Sequence, residues 1–143
     1  MSINNKLIGQ FGEKIALSFI LNRGDAIVIK NYRCKYGEID IISTSDDYLI
    51  FTEVKTRQNN NYGYPLESVT DNKLKKIKKA SQYFLLSQNM YQEYKCNLRF
   101  DVISIIISND LSKAVVLQSN KNLINVDCLI NGTDYELEHV LDI

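Results

Sequence analysis

The chain has 143 residues, a formal net charge of zero and 45% hydrophobic residues, which is the size and composition of one soluble globular domain spanning 1–143. Its longest apolar runs, such as 102–107, fall far short of the ~20 residues of a membrane span, and no signal-peptide core is visible, so we expect a cytoplasmic protein without membrane contact. The three widely spaced cysteines form no C-x-x-C pair, which argues against a zinc or redox site built on cysteine.

The first half of the chain predicts one helix and three strands. Apolar residues at helical spacing from about Asn5 to Arg23 indicate an amphipathic helix, which Gly24 ends. Three short runs rich in β-branched residues follow and predict strands at about Ala26–Tyr32, Glu38–Ser43 and Tyr48–Lys55. A polar turn at 44–47 separates the last two runs, so we expect them to form an antiparallel hairpin.

The second half predicts another helix and at least one buried strand. A loop at 58–64 precedes a helix that Thr70 or Asp71 caps and that runs to about Ser87. The nearly continuous apolar run Leu98–Ile107 is typical of a strand covered on both faces. The segment Val115–Gln118 indicates one more strand, and the C-terminal segment is either a short strand or a helix. The order α-β-β-β-α-β-β predicts an α/β fold with a mixed β-sheet flanked by helices, its core at about 5–118.

Three polar residues interrupt the apolar second and third strands, namely Asp40, Glu53 and Lys55. Strand alternation places Glu53 and Lys55 on one face, and the hairpin brings Asp40 beside Glu53. Two adjacent buried carboxylates cost several kcal/mol unless a cation compensates them, and carboxylates with several waters are what Mg²⁺ prefers. A lysine beside them can orient a water or offset charge on a phosphate. For these residues alone, an exposed Glu53–Lys55 charge pair is the alternative interpretation.

Six segments match the pattern of a known family in order and spacing. They are Gly12–Ala16, Asn31–Lys35, Gly37–Ile42, Phe51–Arg57, Tyr62–Pro65 and Arg99–Val102. Over about 9–107 the chain thus resembles the YraN-like family of predicted endonucleases and, through it, the PD-(D/E)xK nuclease superfamily, which includes Holliday junction resolvases. After Ile107 the sequence departs from the family pattern, which leaves the C-terminal third and a possible homodimer interface open.

The resemblance implies a restriction-endonuclease-like core and a specific set of site residues. Asp40 and Glu53 would be metal ligands, Glu13 a further acid supplied by the first helix, and Lys55 the catalytic lysine. The implied cofactor is Mg²⁺ or Mn²⁺, and the implied substrate is DNA in branched or single-stranded form. For Glu13 a salt-bridge or capping role is the alternative, which the residues without the family resemblance would favour.

Positive charge is concentrated where a phosphate site is expected. Residues 1–99 carry 15 Lys and Arg against 10 Asp and Glu, whereas residues 100–143 carry 2 against 7. Phosphate contacts are therefore predicted in the first part of the chain, with ordinary surface charge as the alternative, at Arg33, Lys35, Arg57 and Lys73. Lys73 is favoured because it lies at a helix N-terminus, where free backbone N–H groups attract anions. Tyr62 and Tyr64 are expected either to stack on bases or sugars or to pin their own loop.

Two further polar residues, Asp101 and His139, are not predicted to belong to the metal and phosphate site. Asp101 is expected to pair with Arg99 or Arg33, with contact to the site as the alternative. His139, the only histidine, lies far from the motifs in sequence, which argues against histidine-based catalysis and a zinc site.

Two hypotheses for function follow. The first is a divalent-metal-dependent, endonuclease-type phosphodiesterase acting on DNA, and the second is a nucleic-acid-binding accessory protein that keeps the nuclease fold without cutting. Metal-dependent cleavage distinguishes them.

Overall fold

A computed structural model describes residues 3–58, 69–94, 97–110 and 135–141. The elements in these ranges are α1 (Ile3–Asn22), β1 (Ala26–Cys34), β2 (Gly37–Ser45), β3 (Tyr48–Arg57), α2 (Asp71–Ser87), α3 (Tyr91–Tyr94), β4 (Leu98–Ile107) and β5 (Tyr135–Val140). The strand predicted at Val115–Gln118 and the loop residues Tyr62 and Tyr64 lie outside the described residues. None of the helices in the described ranges has the length and apolar character needed to cross a membrane.

The strands form one five-stranded sheet in the order β1-β2-β3-β4-β5. The pairs β1–β2, β2–β3 and β4–β5 are antiparallel, whereas β3 and β4 are parallel. A parallel pair needs a crossover connection, and α2 lies within it along the chain. The predicted α/β fold, a mixed sheet with flanking helices, is therefore confirmed.

The helices pack on the sheet through two apolar clusters. In one, Phe11 and Ile15 of α1 pack with Ile103 and Ile105 of β4. In the other, Phe84 of α2 packs with residues of β2 and β3, among them Ile42, Leu49 and Phe51. Because Phe100 of β4 also packs against this second cluster, β4 is covered on both faces, as its continuous apolar sequence predicts.

The β2–β3 hairpin turns through Asp46 and Asp47, as predicted. Ser45 pairs with Tyr48 across the turn, and Asp46 adopts a φ of 52°, a left-handed conformation that aspartate tolerates better than most residues. The pairing then runs in register to Ile41 opposite Thr52. The β2–β3 pairing ends there, one residue short of Asp40 on β2 and Glu53 on β3.

Strand alternation is interrupted at Asp40. Regular alternation would place Ile39 and Ile41 on the same face, yet Ile39 packs in the α2 cluster and Ile41 in the α1 cluster. On the neighbouring strand Asn31 has a φ of 52°, and the β1–β2 pairing passes from Lys30–Ile41 to Tyr32–Ile39 without an Asn31–Asp40 pair. Both strands are therefore locally irregular where the candidate site residue lies.

Candidate metal and phosphate site

A glycine sets the distance between α1 and β3. A Cβ atom at Gly12 would lie 1.9 Å from Oγ1 and 2.8 Å from Cβ of Thr56, which is well inside van der Waals contact. The helix backbone therefore packs directly on the C-terminal part of β3, and only a residue without a side chain allows this. Since Glu13 follows Gly12, the close approach brings its carboxylate to the strand that carries Glu53 and Lys55.

The side chain of Asp40 binds the backbone of β3 where the β2–β3 pairing ends. Its Oδ2 accepts a hydrogen bond of 2.8 Å from the Val54 backbone N–H, just beyond the last β2–β3 pair. Partial burial raises the pKa of Asp40 from 3.8 to about 7, with further contributions from the negative charges of Glu53 and Glu13 and an opposing one from the Val54 N–H. A nearby cation would stabilise the ionised form of a carboxyl that lies among other carboxyls in this way.

Glu53 is the most buried acid of the group, with only 5% of its side chain exposed. Its Oε1 lies 3.1 Å from Lys55 Nζ on the same strand, so the two side chains share one side of β3 as alternation predicts. The same oxygen lies 3.1 Å from Lys73 Nζ on α2. Lys73, predicted as a phosphate contact, thus reaches into the acidic group from the first turn of its helix.

Glu13 is half-buried, and its partner, Asn31, belongs to one of the family motifs but was not predicted as a site residue. The side chain of Asn31 is hydrogen-bonded to Glu13 and lowers its pKa, but burial, the larger effect, raises it, as do the charges of Glu53 and Glu38. The sequence signal for Asn31 is an amide within a β-branched run, since asparagine is favoured where a strand needs a positive φ. Asn31 is thus both the residue with a positive φ in β1 and the hydrogen-bond partner of Glu13 on α1.

Asp40 and Glu53, with Glu13 near them, form the set that could hold a divalent cation. The charge of Glu53 acts on both Glu13 and Asp40, and the charge of Glu13 acts on Asp40. Within the described ranges, no three His, Cys, Asp or Glu side chains are grouped closely enough to hold a metal ion. Mg²⁺ is usually bound through one or two carboxylates, with waters in the other positions. The chemistry of Asp40 and Glu53, hard oxygen donors on neighbouring strands, fits that requirement.

A positively charged groove of about 1210 Å³ runs between the N-terminal half of α1 and the end of β3. Its charged lining residues within the described ranges are Lys6, Glu13, Arg33, Lys55 and Arg57. Four cations against one acid suit a polyanionic backbone. Lys6 was not predicted, because in sequence it is one lysine on the polar face of a helix.

A smaller cavity of about 330 Å³ lies between α1 and the strands β1 and β2, and Asp40 is among its lining residues. Glu13 and Asn31 line this cavity as well as the groove. Asp40 is thus among the described lining residues of the smaller cavity, and Lys55 is among those of the groove.

The remaining predicted phosphate contacts are distributed unevenly. Arg57 lines the groove and donates from Nη1 to the Thr56 carbonyl, whereas Arg33 lines it while pairing with Glu38 across the β1–β2 hairpin. Lys35 is not among the described lining residues, and its ammonium lies 5.1 Å from the ring centre of Tyr36. Arg57 and Arg33 therefore line the groove, whereas neither Lys35 nor Lys73 is among its described lining residues.

Asp101 is part of a separate buried network. Arg99 donates to both carboxylate oxygens of this fully buried acid, as one of the expected pairings has it, and His139 Nε2 lies 2.8 Å from Oδ2. His139 also contacts Arg23 at the end of α1, which pairs with Asp25. These contacts link β4, β5 and α1 and account for Asp101 and His139 as structural residues.

Comparison with known proteins identifies relatives along most of the chain. The sequence model of the uncharacterised protein family UPF0102 matches residues 12–105. A UPF0102 protein of Clostridium novyi (strain NT) is 46% identical over 111 residues, which cover 76% of this chain and 90% of the relative. A relative from Clostridioides difficile (strain 630) is 46% identical over 73% of this chain and 90% of its own. One from Dictyoglomus turgidum is 43% identical over 74% and 87%.

Proposed function

This chain belongs to the uncharacterised protein family UPF0102, and we propose that it is a divalent-metal-dependent phosphodiesterase of the endonuclease type that acts on DNA. The observation that carries the proposal is the proximity of Asp40, Glu53 and Lys55. Asp40 accepts from the Val54 N–H next to Glu53, Lys55 lies 3.1 Å from Glu53, and the charges of Glu53 and Glu13 act on Asp40. An exposed surface pair is a poor alternative account, because Glu53 is only 5% exposed. The family resemblance of the motifs supports the assignment to PD-(D/E)xK nucleases.

The proposed roles follow from where each side chain lies. Asp40 and Glu53 would hold Mg²⁺ or Mn²⁺, and the ion, when bound, would supply charge stabilisation to the phosphate and lower the pKa of a coordinated water. Lys55 lies 3.1 Å from Glu53 and opens to the groove, so its ammonium can orient the attacking water or offset charge on the scissile phosphate. In-line attack would leave a 5′-phosphate on the product.

Substrate binding is proposed to rest on the nucleic-acid backbone. Lys6, Arg33 and Arg57 line the same groove as Lys55, and cations distributed in this way contact phosphates without reading bases. The preference for branched or single-stranded DNA rests on the resemblance to junction-resolving nucleases.

A binding protein without cleavage activity is the second candidate, and one observation favours it. Two lysines already neutralise Glu53, and the described residues contain no group of three possible metal ligands. A protein of this kind would use the groove to bind nucleic acid, and its acidic group would be a structural ion-pair network. It would bind DNA with or without a divalent cation.

The deciding experiment is a cleavage panel on linear duplex, single-stranded, flap and four-way-junction DNA, each with Mg²⁺, with Mn²⁺ and with EDTA. The wild type and the control Lys75→Ala, an exposed lysine of α2, should cut at least one substrate in a metal-dependent way, whereas Asp40→Asn should not. Binding of these DNAs without cleavage in any metal would overturn the nuclease proposal in favour of the binding protein.

A further inference from the structure

Two ammonium groups share one carboxylate oxygen in this site. Lys55 Nζ and Lys73 Nζ each lie 3.1 Å from Glu53 Oε1. One lysine suffices to neutralise one glutamate, and the two positive charges repel each other across the shared oxygen. The second lysine also acts on Asp40: burial and the charge of Glu53 raise the pKa of that carboxyl, and the positive charge of Lys73 opposes the rise.

The two lysines differ in how firmly they are held. Lys55 projects from the same strand as Glu53, two residues away, and its side chain is 22% exposed, whereas that of Lys73 is 36% exposed. Lys73 lies in the first turn of α2, whose backbone is secured there by the Thr70 cap and by buried Ile77. Its four-carbon stem can thus swing away from Glu53 while the helix stays in place.

Charge balance indicates which lysine leaves when a divalent cation arrives. When Glu13, Asp40 and Glu53 are all ionised, as a bound dication would favour, they carry three negative charges, and Lys55 with Lys73 carries two positive charges. A dication added to both lysines would bring four positive charges against three negative ones. Release of Lys73 restores the balance, with the dication and Lys55 matching the three carboxylates.

We infer that Lys73 is an exchangeable counter-ion of this site, which contacts Glu53 in the absence of a divalent cation and moves to a nucleic-acid phosphate once the cation binds. The inference rests on the proposed function, because it takes Glu53 as a metal ligand. Metal binding and backbone binding are then linked through one side chain. Lys73 competes with the metal for Glu53, and its release adds a phosphate contact near the helix N-terminus.

The test compares Lys73→Met with Lys75→Met, a matched control on the exposed side of the same helix turn. Mn²⁺ binding is measured by isothermal titration calorimetry on the protein alone. Lys73→Met should bind Mn²⁺ about three- to fivefold more tightly than the wild type, because a competing cation is gone. Lys75→Met should bind it as the wild type does. Lys73→Arg, which keeps the charge, should also stay close to the wild type.

A second measurement follows the released lysine. A short single-stranded oligonucleotide is titrated in EDTA and in Ca²⁺, and the gain in affinity that Ca²⁺ gives to the wild type should be smaller in Lys73→Met. If the wild type binds Mn²⁺ but Lys73→Met binds it equally or more weakly, the counter-ion inference is overturned while the metal site stands. If neither protein binds Mn²⁺, the metal site of the proposed function fails, and the inference fails with it.

Discussion

Asp40 is subject to opposing demands. Burial and the charges of Glu53 and Glu13 favour its neutral form, with a pKa of about 7, whereas a metal ligand must be ionised. The Val54 N–H, which donates to its Oδ2, secures the side chain in either state. A cation bound at the proposed metal site would therefore favour the ionised form of Asp40.

The first prediction concerns the stability of the metal-free protein with Asp40→Asn. Because the folded pKa is raised above the unfolded value of 3.8, protonation favours the fold, and wild-type stability declines as pH rises from about 4 to about 7. Asparagine carries no charge and can still accept from Val54. The variant should gain about 1–3 kcal/mol over the wild type at pH 8 and little at pH 4.

Urea denaturation in EDTA at both pH values measures this gain. Asp47→Asn, which removes the same charge from the exposed hairpin turn, is the control and should show no such pH-dependent gain. Destabilisation of Asp40→Asn at pH 8 would mean that the ionised carboxylate is favoured by the fold.

The second prediction separates activity from stability at Lys55. Lys55→Ala should reduce metal-dependent cleavage by about a thousandfold or more, since the proposed mechanism has this lysine act on the water or the scissile phosphate. Its stability should change by about 1 kcal/mol or less, because Glu53 keeps the Lys73 ion pair. Cleavage rates and melting temperatures of Lys55→Ala and Lys75→Ala check this. Full activity in Lys55→Ala would remove that lysine from the mechanism.

At the scale of elements, the contact between α1 and β3 determines whether Glu13 reaches the other acids. The third prediction is that Gly12→Ala lowers stability by about 1–3 kcal/mol, because its methyl group would overlap Thr56. Gly9→Ala is a control on the same helix, since no described atom beyond its own helix lies within 4 Å of the place that its methyl group would occupy, and it should stabilise by up to about 1 kcal/mol. Equal melting temperatures for the two variants would contradict the close contact.

The elements themselves were largely predictable, because they depend on local patterns. The apolar run at Leu98–Ile107 predicted β4 to the residue, and the polar turn at Asp46–Asp47 predicted the hairpin. The one-turn helix α3 is too short to show a period, and β5 was predicted only as a strand or a helix. Short elements are determined by the surfaces they pack on, which a local pattern does not contain.

The site was predictable in part. Strand spacing and the hairpin placed Asp40, Glu53 and Lys55 together, and the family resemblance added Glu13. The hydrogen bond from Asn31 to Glu13 and the ion pair from Lys73 to Glu53 were not predicted. Both join elements that are distant in sequence, and the first also depends on a strand irregularity that breaks the alternation used for prediction.

On the scale of the whole molecule, positive charge lines one groove while the C-terminal part of the chain is acidic. The fourth prediction is a steep salt dependence of DNA binding. If four groove cations each contact a phosphate, affinity should fall on the order of 50- to 150-fold between 50 and 200 mM salt. Lys6→Ala should flatten this dependence, whereas Lys79→Ala, an exposed lysine of α2 that is not among the described lining residues of the groove, should not. Affinity independent of salt would exclude backbone binding.

The pairing of β5 with β4 has a consequence for handling and engineering of the protein. β4 is the most apolar strand, buried from Val102 to Ile105, and its second edge is covered by Tyr135–Val140 through the register Val102–Val140 to Ile107–Tyr135. Truncation before Tyr135 would remove the described partner of this edge, and an apolar strand with an unpaired edge can pair with the same edge of another molecule. Such a truncated protein should form β-rich aggregates in light scattering and thioflavin assays, and the C-terminal strand thus acts as protection against self-association.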